Sequence, residues 1–148
     1  MVHSVVVYMI EFKVEGRPVP QPRPRVYRTA TGKSKAVNSR QSINYKRIVK
    51  YAALSEMNKQ RLTMTDRPLA MRLTFVFAPP KSYTKKKLEA VKSGELRYTK
   101  KPDLDNLAKA ILDACNNTVY KDDSQIITLS INKEYGHTDH VAVKITQL

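Results

Sequence analysis

Apolar and polar residues alternate in four stretches, and each stretch predicts a half-buried strand. In residues 5–14 (VVVYMIEFKV), Ile10, Phe12 and Val14 alternate with Glu11 and Lys13. In residues 70–78, Met71, Leu73, Phe75 and Phe77 fall on one side and Arg72 and Thr74 on the other, until Pro79 and Pro80 end the run. Residues 126–135 alternate through Ile127, Leu129, Ile131 and Lys133. A turn at Gly136 to His140 leads to Val141, Val143 and Ile145, so the end of the chain reads as a hairpin. Helical spacing fills the intervals. Residues 39–60 place Tyr45, Ile48, Ala52 and Met57 near one face. Residues 103–116 repeat Leu104, Leu107, Ala108, Ile111, Leu112 and Cys115 at i, i+3, i+4, i+7, with Asn116 and Asn117 as terminators. Ser82 or Thr84 is placed to cap a short helix over Lys85 to Lys92. The order β, α, β, short α, α, β, β predicts an α+β single domain over residues 1–148. It has a mixed sheet of about four strands, two main helices and a short extra helix.

A chain of 148 residues buries one core. Charge changes the picture more. Lys and Arg number 27 against 13 Asp and Glu, a net of +14, which points to a polyanionic partner, most often nucleic acid. No basic amphipathic helix supports a membrane partner, and the apolar run from Val5 to Ile10 is too short to span a bilayer. Cys115 is the only cysteine, so no intrachain disulfide forms, which suits a reducing cytoplasm. His3, His137 and His140 form no zinc pattern with it, and the segment from His137 to His140 reads as a solvated turn.

The basic residues are grouped. Residues 17–50 carry ten Lys and Arg and no acid. Within them Pro18, Pro20, Pro22 and Pro24 recur at every second position, which forbids helix and favours an extended, polyproline-like arm bearing Arg17, Arg23 and Arg25. The arm is either a DNA contact or a stiff connector with solvated arginines. Residues 81–101 carry a net of +6. Arg17, Arg23, Arg25, Arg28, Lys46, Lys85, Lys86, Lys87, Lys100 and Lys101 are the candidate phosphate contacts.

Five of the thirteen acids lie between Asp103 and Asp123, offset only by Lys109 and Lys121. A surface built to hold phosphates is weakened by carboxylates unless a divalent metal lies between them. Asp103 and Asp105 bracket the start of the second main helix, and at a non-helical entry both can turn to one ion. Asp122 and Asp123 stand just before a strand. Each piece also has a structural use: Asp103 or Asp105 as N-cap, Lys109 as an i, i+4 partner of Asp105 or Asp113, Asp122-Asp123 as a turn. Capping needs only one aspartate, and explains neither the pair nor the second cluster.

The run KPDLDNLAKAILDACNNTVYKDDSQI resembles the signature of RusA-like Holliday junction resolvases, in particular their phage- and prophage-associated branch. The likeness rests on a D-x-D-N-L-x-K helix start (Asp103, Asp105, Asn106, Leu107, Lys109) and a D-D-x-Q-I element (Asp122, Asp123, Gln125, Ile126). The first strand, the PVPQPRPR arm and the first helix are similar too. The resemblance implies a bacterial or phage-encoded, Mg²⁺-dependent homodimer, with Mn²⁺ as substitute, that binds four-way junction DNA and nicks two opposing strands. It implies Asp103, Asp105 and Asp123 as essential carboxylates and metal ligands, Asp122 as a less certain one, Lys109 as the catalytic lysine, and Asn106 in support. The basic segment Lys81 to Lys101 is longer than in the shortest relatives, which leaves junction selectivity open. Another Mg²⁺-dependent nuclease, acting on flaps, forks or RNA, would use the same aspartates. A non-catalytic nucleic-acid binder would explain the charge but not the acids.

Overall fold

In a computed structural model, residues 8–22, 25–28, 30, 34–37 and 39–148 are described. Val5 to Val7, His3, Arg23, Pro24 and Lys33 lie outside them. The alternation of the first strand becomes β1 (Met9–Glu15), with Ile10, Phe12 and Val14 buried. A short hairpin of β2 (Arg25–Arg28) and β3 (Ser34–Val37) follows as a separate two-stranded sheet, which the sequence reading did not anticipate. Then come α1 (Arg40–Gln60), β4 (Leu69–Phe77), α2 (Lys85–Ser93), α3 (Leu104–Cys115), a 3₁₀ turn (Asp123–Gln125), β5 (Ile126–Tyr135) and β6 (His140–Gln147). The class is α+β, with a four-stranded mixed sheet and three helices. No described helix is long and apolar enough to cross a membrane.

The helix ends follow from local chemistry. The Ser39 hydroxyl accepts from the Ser42 amide to start α1, and the Thr84 hydroxyl accepts from the Lys87 amide to start α2. Gly94, at φ +80, ends α2 in the left-handed region that glycine enters freely. On α1 the buried face is Ser42, Tyr45, Val49, Ala53 and Met57. Tyr45 and Met57 match the expected face, whereas Ile48 is 54% exposed. Spacing by four selects Val49 over its larger neighbour, because the stripe must stay in line with Tyr45 and Met57.

The sheet order is β1-β6-β4-β5, with β5 parallel to β4 and the other pairs antiparallel. The expected terminal hairpin is therefore wrong: β5 and β6 flank β4 and do not pair. The turn between them crosses the C-terminal end of β4, where the Gly136 amide donates to the Phe77 carbonyl at 3.0 Å. A Cβ on Gly136 would collide with the Val76 side chain, so the close crossing requires glycine. Helices cover one face of the sheet. Leu69, Met71, Leu73, Phe75 and Phe77 of β4 meet Val49, Leu107 and Ile111 in one cluster, and full burial of such a side chain stabilises by about 2 kcal/mol. The other face carries Arg72, Thr128, Ser130, Lys144 and Thr146. β5 is an edge strand, and the alternation read there holds only in part: Ile131 packs on the core while Ile127 is 65% and Leu129 40% exposed.

Candidate active site

Helix α3 is the most amphipathic element, and burial of Leu107, Ala108, Ile111, Ala114 and Cys115 turns Asp105, Lys109 and Asp113 outward. Asp103 occupies the N-cap position, yet its side chain makes no capping hydrogen bond, and its carboxylate is exposed. The Asp105 carboxylate, also exposed, accepts only the neighbouring Asn106 amide, at 2.9 Å, among the described residues. The capping use thus accounts for neither. Asn106 is half-buried, and its carbonyl accepts the Gln21 amide at 2.9 Å. Gln21 also takes the buried Ser42 hydroxyl at 3.1 Å. The proline-rich arm is thereby tied to α1 and to the first turn of α3.

Lys109 pairs with Asp113, not Asp105: the ammonium donates to the carboxylate at 2.8 Å. This bond, with the fields of Asp113, Asp123 and Asp122 against some desolvation, holds Lys109 above its ordinary pKa and keeps it protonated. The 3₁₀ turn that bears Asp123 packs against α3.

The two members of that second pair differ. Asp122 is the cap of the turn, its carboxylate accepting the Ser124 amide at 3.2 Å; hydrogen bonding from the Ser124 side chain first, then from its amide, with the Lys109 charge a smaller contribution, holds its pKa below the usual carboxylate range. Asp123 is half-buried and its carboxylate has no hydrogen-bond partner among the described residues. The turn is pinned by Gln125. Its Nε2 donates to the Thr65 and Arg67 carbonyls at 3.0 Å each, and its Oε1 accepts the Lys121 and Asp122 amides at 2.9 and 3.2 Å.

Among the described residues, no three His, Cys, Asp or Glu side chains are grouped to hold an ion by themselves. Mg²⁺ commonly takes one or two protein carboxylates and completes its shell with waters and substrate phosphates. Asp103 and Asp105, exposed carboxylates two residues apart and engaged in no tertiary bond among the described residues, fit that donor chemistry, with Asp123 on the turn that packs against α3.

The basic candidates lie on several elements. Arg17 is exposed with its guanidinium 5.2 Å from the Phe77 ring centroid. Arg25 and Arg28 lie on β2. Lys46, with Arg47 and Lys50, lines a groove of about 540 Å³ that also includes Asp113. Lys85 and Lys86 are exposed on α2, and Lys101 is exposed just before Asp103. Lys87 and Lys100 both lie over the Tyr83 ring, at 4.9 and 5.1 Å. Of the two i, i+4 partners that the sequence offers Lys109, Asp105 and Asp113, the structure selects Asp113. Sequence reasoning missed the pinning role of Gln125, visible only once residues 65–67 are seen beside the turn.

A family model of the endodeoxyribonuclease RusA matches residues 15–146. The chain belongs to the RusA endodeoxyribonuclease family and is a nuclease of the hydrolase class. The nucleases of this family are metal-dependent. Among curated proteins it is similar to the uncharacterised protein YqaN of Bacillus subtilis (strain 168), with 36% identity over 141 residues, covering 94% of this chain and 96% of the relative.

Proposed function

We propose that the protein resolves Holliday junctions, cutting two opposing strands of four-way DNA as a homodimer with the Asp103, Asp105, Asp123 and Lys109 side chains as its cutting site. The observation that carries this reading is the pair of exposed carboxylates at the start of α3, free of capping duty, on a face shared with a protonated Lys109. A two-fold dimer suits a junction, which presents two equivalent strands.

Each group has a role its surroundings favour. Asp103 and Asp105 would hold Mg²⁺, or Mn²⁺ in its place, with water and substrate phosphate in its shell and Asp123 joining from the turn against α3; when bound, such an ion lowers the pKa of water and polarises a phosphate oxygen. Asp122, engaged in its turn, supports the fold of the site more than its chemistry. Lys109 is kept cationic by Asp113, so it serves as a fixed positive charge beside the phosphate as negative charge builds there, and is poorly suited to take a proton. Asn106 keeps Asp105 and the arm in register through its backbone. Arg17, Arg23, Arg25, Arg28, Lys46, Lys85, Lys86, Lys87, Lys100 and Lys101 supply the phosphate contacts that position the duplex arms.

The test is cleavage of four-way junction, flap, fork and linear duplex side by side, in Mg²⁺ and in EDTA. Paired symmetric nicks in the junction, confined to the Mg²⁺ lanes, are expected. Equal cutting of all four substrates would refute junction selectivity, and full activity in EDTA would refute the metal.

A further inference from the structure

The basic segment 81–101 ends two residues before Asp103, and the residues that lead into that aspartate are held in an unusual way. The Lys133 ammonium, from β5, donates to the Lys100 carbonyl at 2.7 Å and to the Pro102 carbonyl at 3.0 Å. The Tyr98 hydroxyl donates to the carbonyl between them, that of Lys101, at 2.8 Å. Three consecutive carbonyls are thus fixed by two side chains. Tyr98 is anchored in turn: its ring stacks on Phe77, the last residue of β4, at 4.5 Å and 12°, and meets the ring of Tyr135, the last residue of β5, edge-on at 5.1 Å. Lys133 lies over the Tyr98 ring, 5.1 Å from its centroid.

We infer that Lys133 and Tyr98 are positioning residues for cleavage, acting through Asp103; this rests on Asp103 being one of the cutting carboxylates. An ammonium has three N–H donors. Two go to carbonyls and the charge faces an aromatic ring, so Lys133 has little left to offer a DNA phosphate despite the basic surroundings. On its other side Asp103 is fixed by its carbonyl, which accepts the Leu107 amide at 3.1 Å. Its carboxylate makes no capping bond, so its direction is set by the backbone on both sides. β5 therefore serves both halves of the site: its start follows the Gln125-pinned turn bearing Asp123, and Lys133 further along fixes the entry to Asp103. Both links are made by side chains on or beside one strand.

The experiment compares Lys133→Met, Tyr98→Phe and Asp103→Asn with the wild-type chain, measuring junction affinity with its salt dependence in metal-free buffer and the single-turnover cutting rate of pre-bound junction in Mg²⁺. Displacement of a reacting group by about 1 Å costs up to about a hundredfold, so Lys133→Met should cut about tenfold to a hundredfold more slowly. Its affinity and salt slope should be unchanged. Tyr98→Phe keeps the stacked ring and removes one donor; it should show a smaller loss of the same kind, and decides the matter if Lys133→Met fails to fold. Wild-type cutting by the folded Lys133→Met or by Tyr98→Phe, while Asp103→Asn is inactive, overturns the positioning role alone. A weakened affinity with a flatter salt slope in Lys133→Met overturns it in favour of a phosphate contact. Normal cutting by Asp103→Asn removes the underlying reading and the inference with it.

Discussion

Replacing Gln125 by leucine removes four hydrogen bonds while keeping the bulk of the side chain. The amide joins the turn bearing Asp123 to residues 65–67 ahead of β4, with bonds of 3.0, 3.0, 2.9 and 3.2 Å. At a net of about 0.5–1.5 kcal/mol each, four bonds sum to about 2–6 kcal/mol. Three of the four are solvent-exposed, and water takes over part of their work, so a loss of about 2–3 kcal/mol is expected. For a chain of this size that lowers Tm by about 4–12 °C. Urea unfolding followed by circular dichroism measures the loss, and single-turnover junction cutting should fall with it because Asp123 loses its support. Gln125→Glu separates the two halves. It still accepts from Lys121 and Asp122 but sets a carboxylate against two carbonyls, which raises its folded pKa above the unfolded value of about 4.3. Its stability relative to wild type is therefore retained below about pH 4 and lost as pH rises through the folded pKa. A stability loss below about 0.5 kcal/mol for Gln125→Leu would refute the claim that this amide holds the turn.

Asp113→Asn removes the largest cause of the raised Lys109 pKa, so the alkaline limb of the pH–rate profile should move to lower pH; an unmoved limb would detach Lys109 from the reaction. Asp123→Asn should abolish cutting with little change in stability. Asp122→Ala should cost about 1 kcal/mol through the lost cap and leave measurable cutting, and the reverse order in the same urea and cleavage assays would exchange the two roles. The buried Tyr45 hydroxyl has no partner among the described residues, and burial pushes its pKa up. Tyr45→Phe should stabilise by about 1 kcal/mol in urea, and a loss of that size would reveal a partner outside them.

Much of this arrangement was legible in one dimension because its causes are local. The bounds of α1, α2, α3, β4 and β5 follow from period, caps and prolines, which act within a few residues. The D-x-D-N-L-x-K and D-D-x-Q-I segments could be read as two halves of one site because both kinds of acid stand at element starts. What escaped depends on neighbours distant in sequence. The insertion of β4 between β5 and β6 turns on a crossing at Val76 and Gly136, sixty residues apart in number, and the alternation of the strands looks the same with or without it. Ile48 lost to Val49 because the packing of α1 on β1 and α3 decides the face. The roles of Lys133 and Tyr98 could not be read at all: a lysine on a strand and a tyrosine in a basic loop carry no mark until three carbonyls are found between them.

The central claim is that the carboxylates at the start of α3 cut DNA and do not cap a helix. It is tested most directly by the single-turnover rate at which Asp105→Asn and Asp103→Asn cut a bound four-way junction, with junction affinity and unfolding free energy measured on the same samples. The account predicts that cutting is abolished, that affinity is equal or higher because a charge repelling phosphate is gone, and that stability changes by less than about 0.5 kcal/mol. Variants that lose stability by about 1 kcal/mol or more and cut in proportion to the folded fraction would contradict it, and return both aspartates to the helix cap.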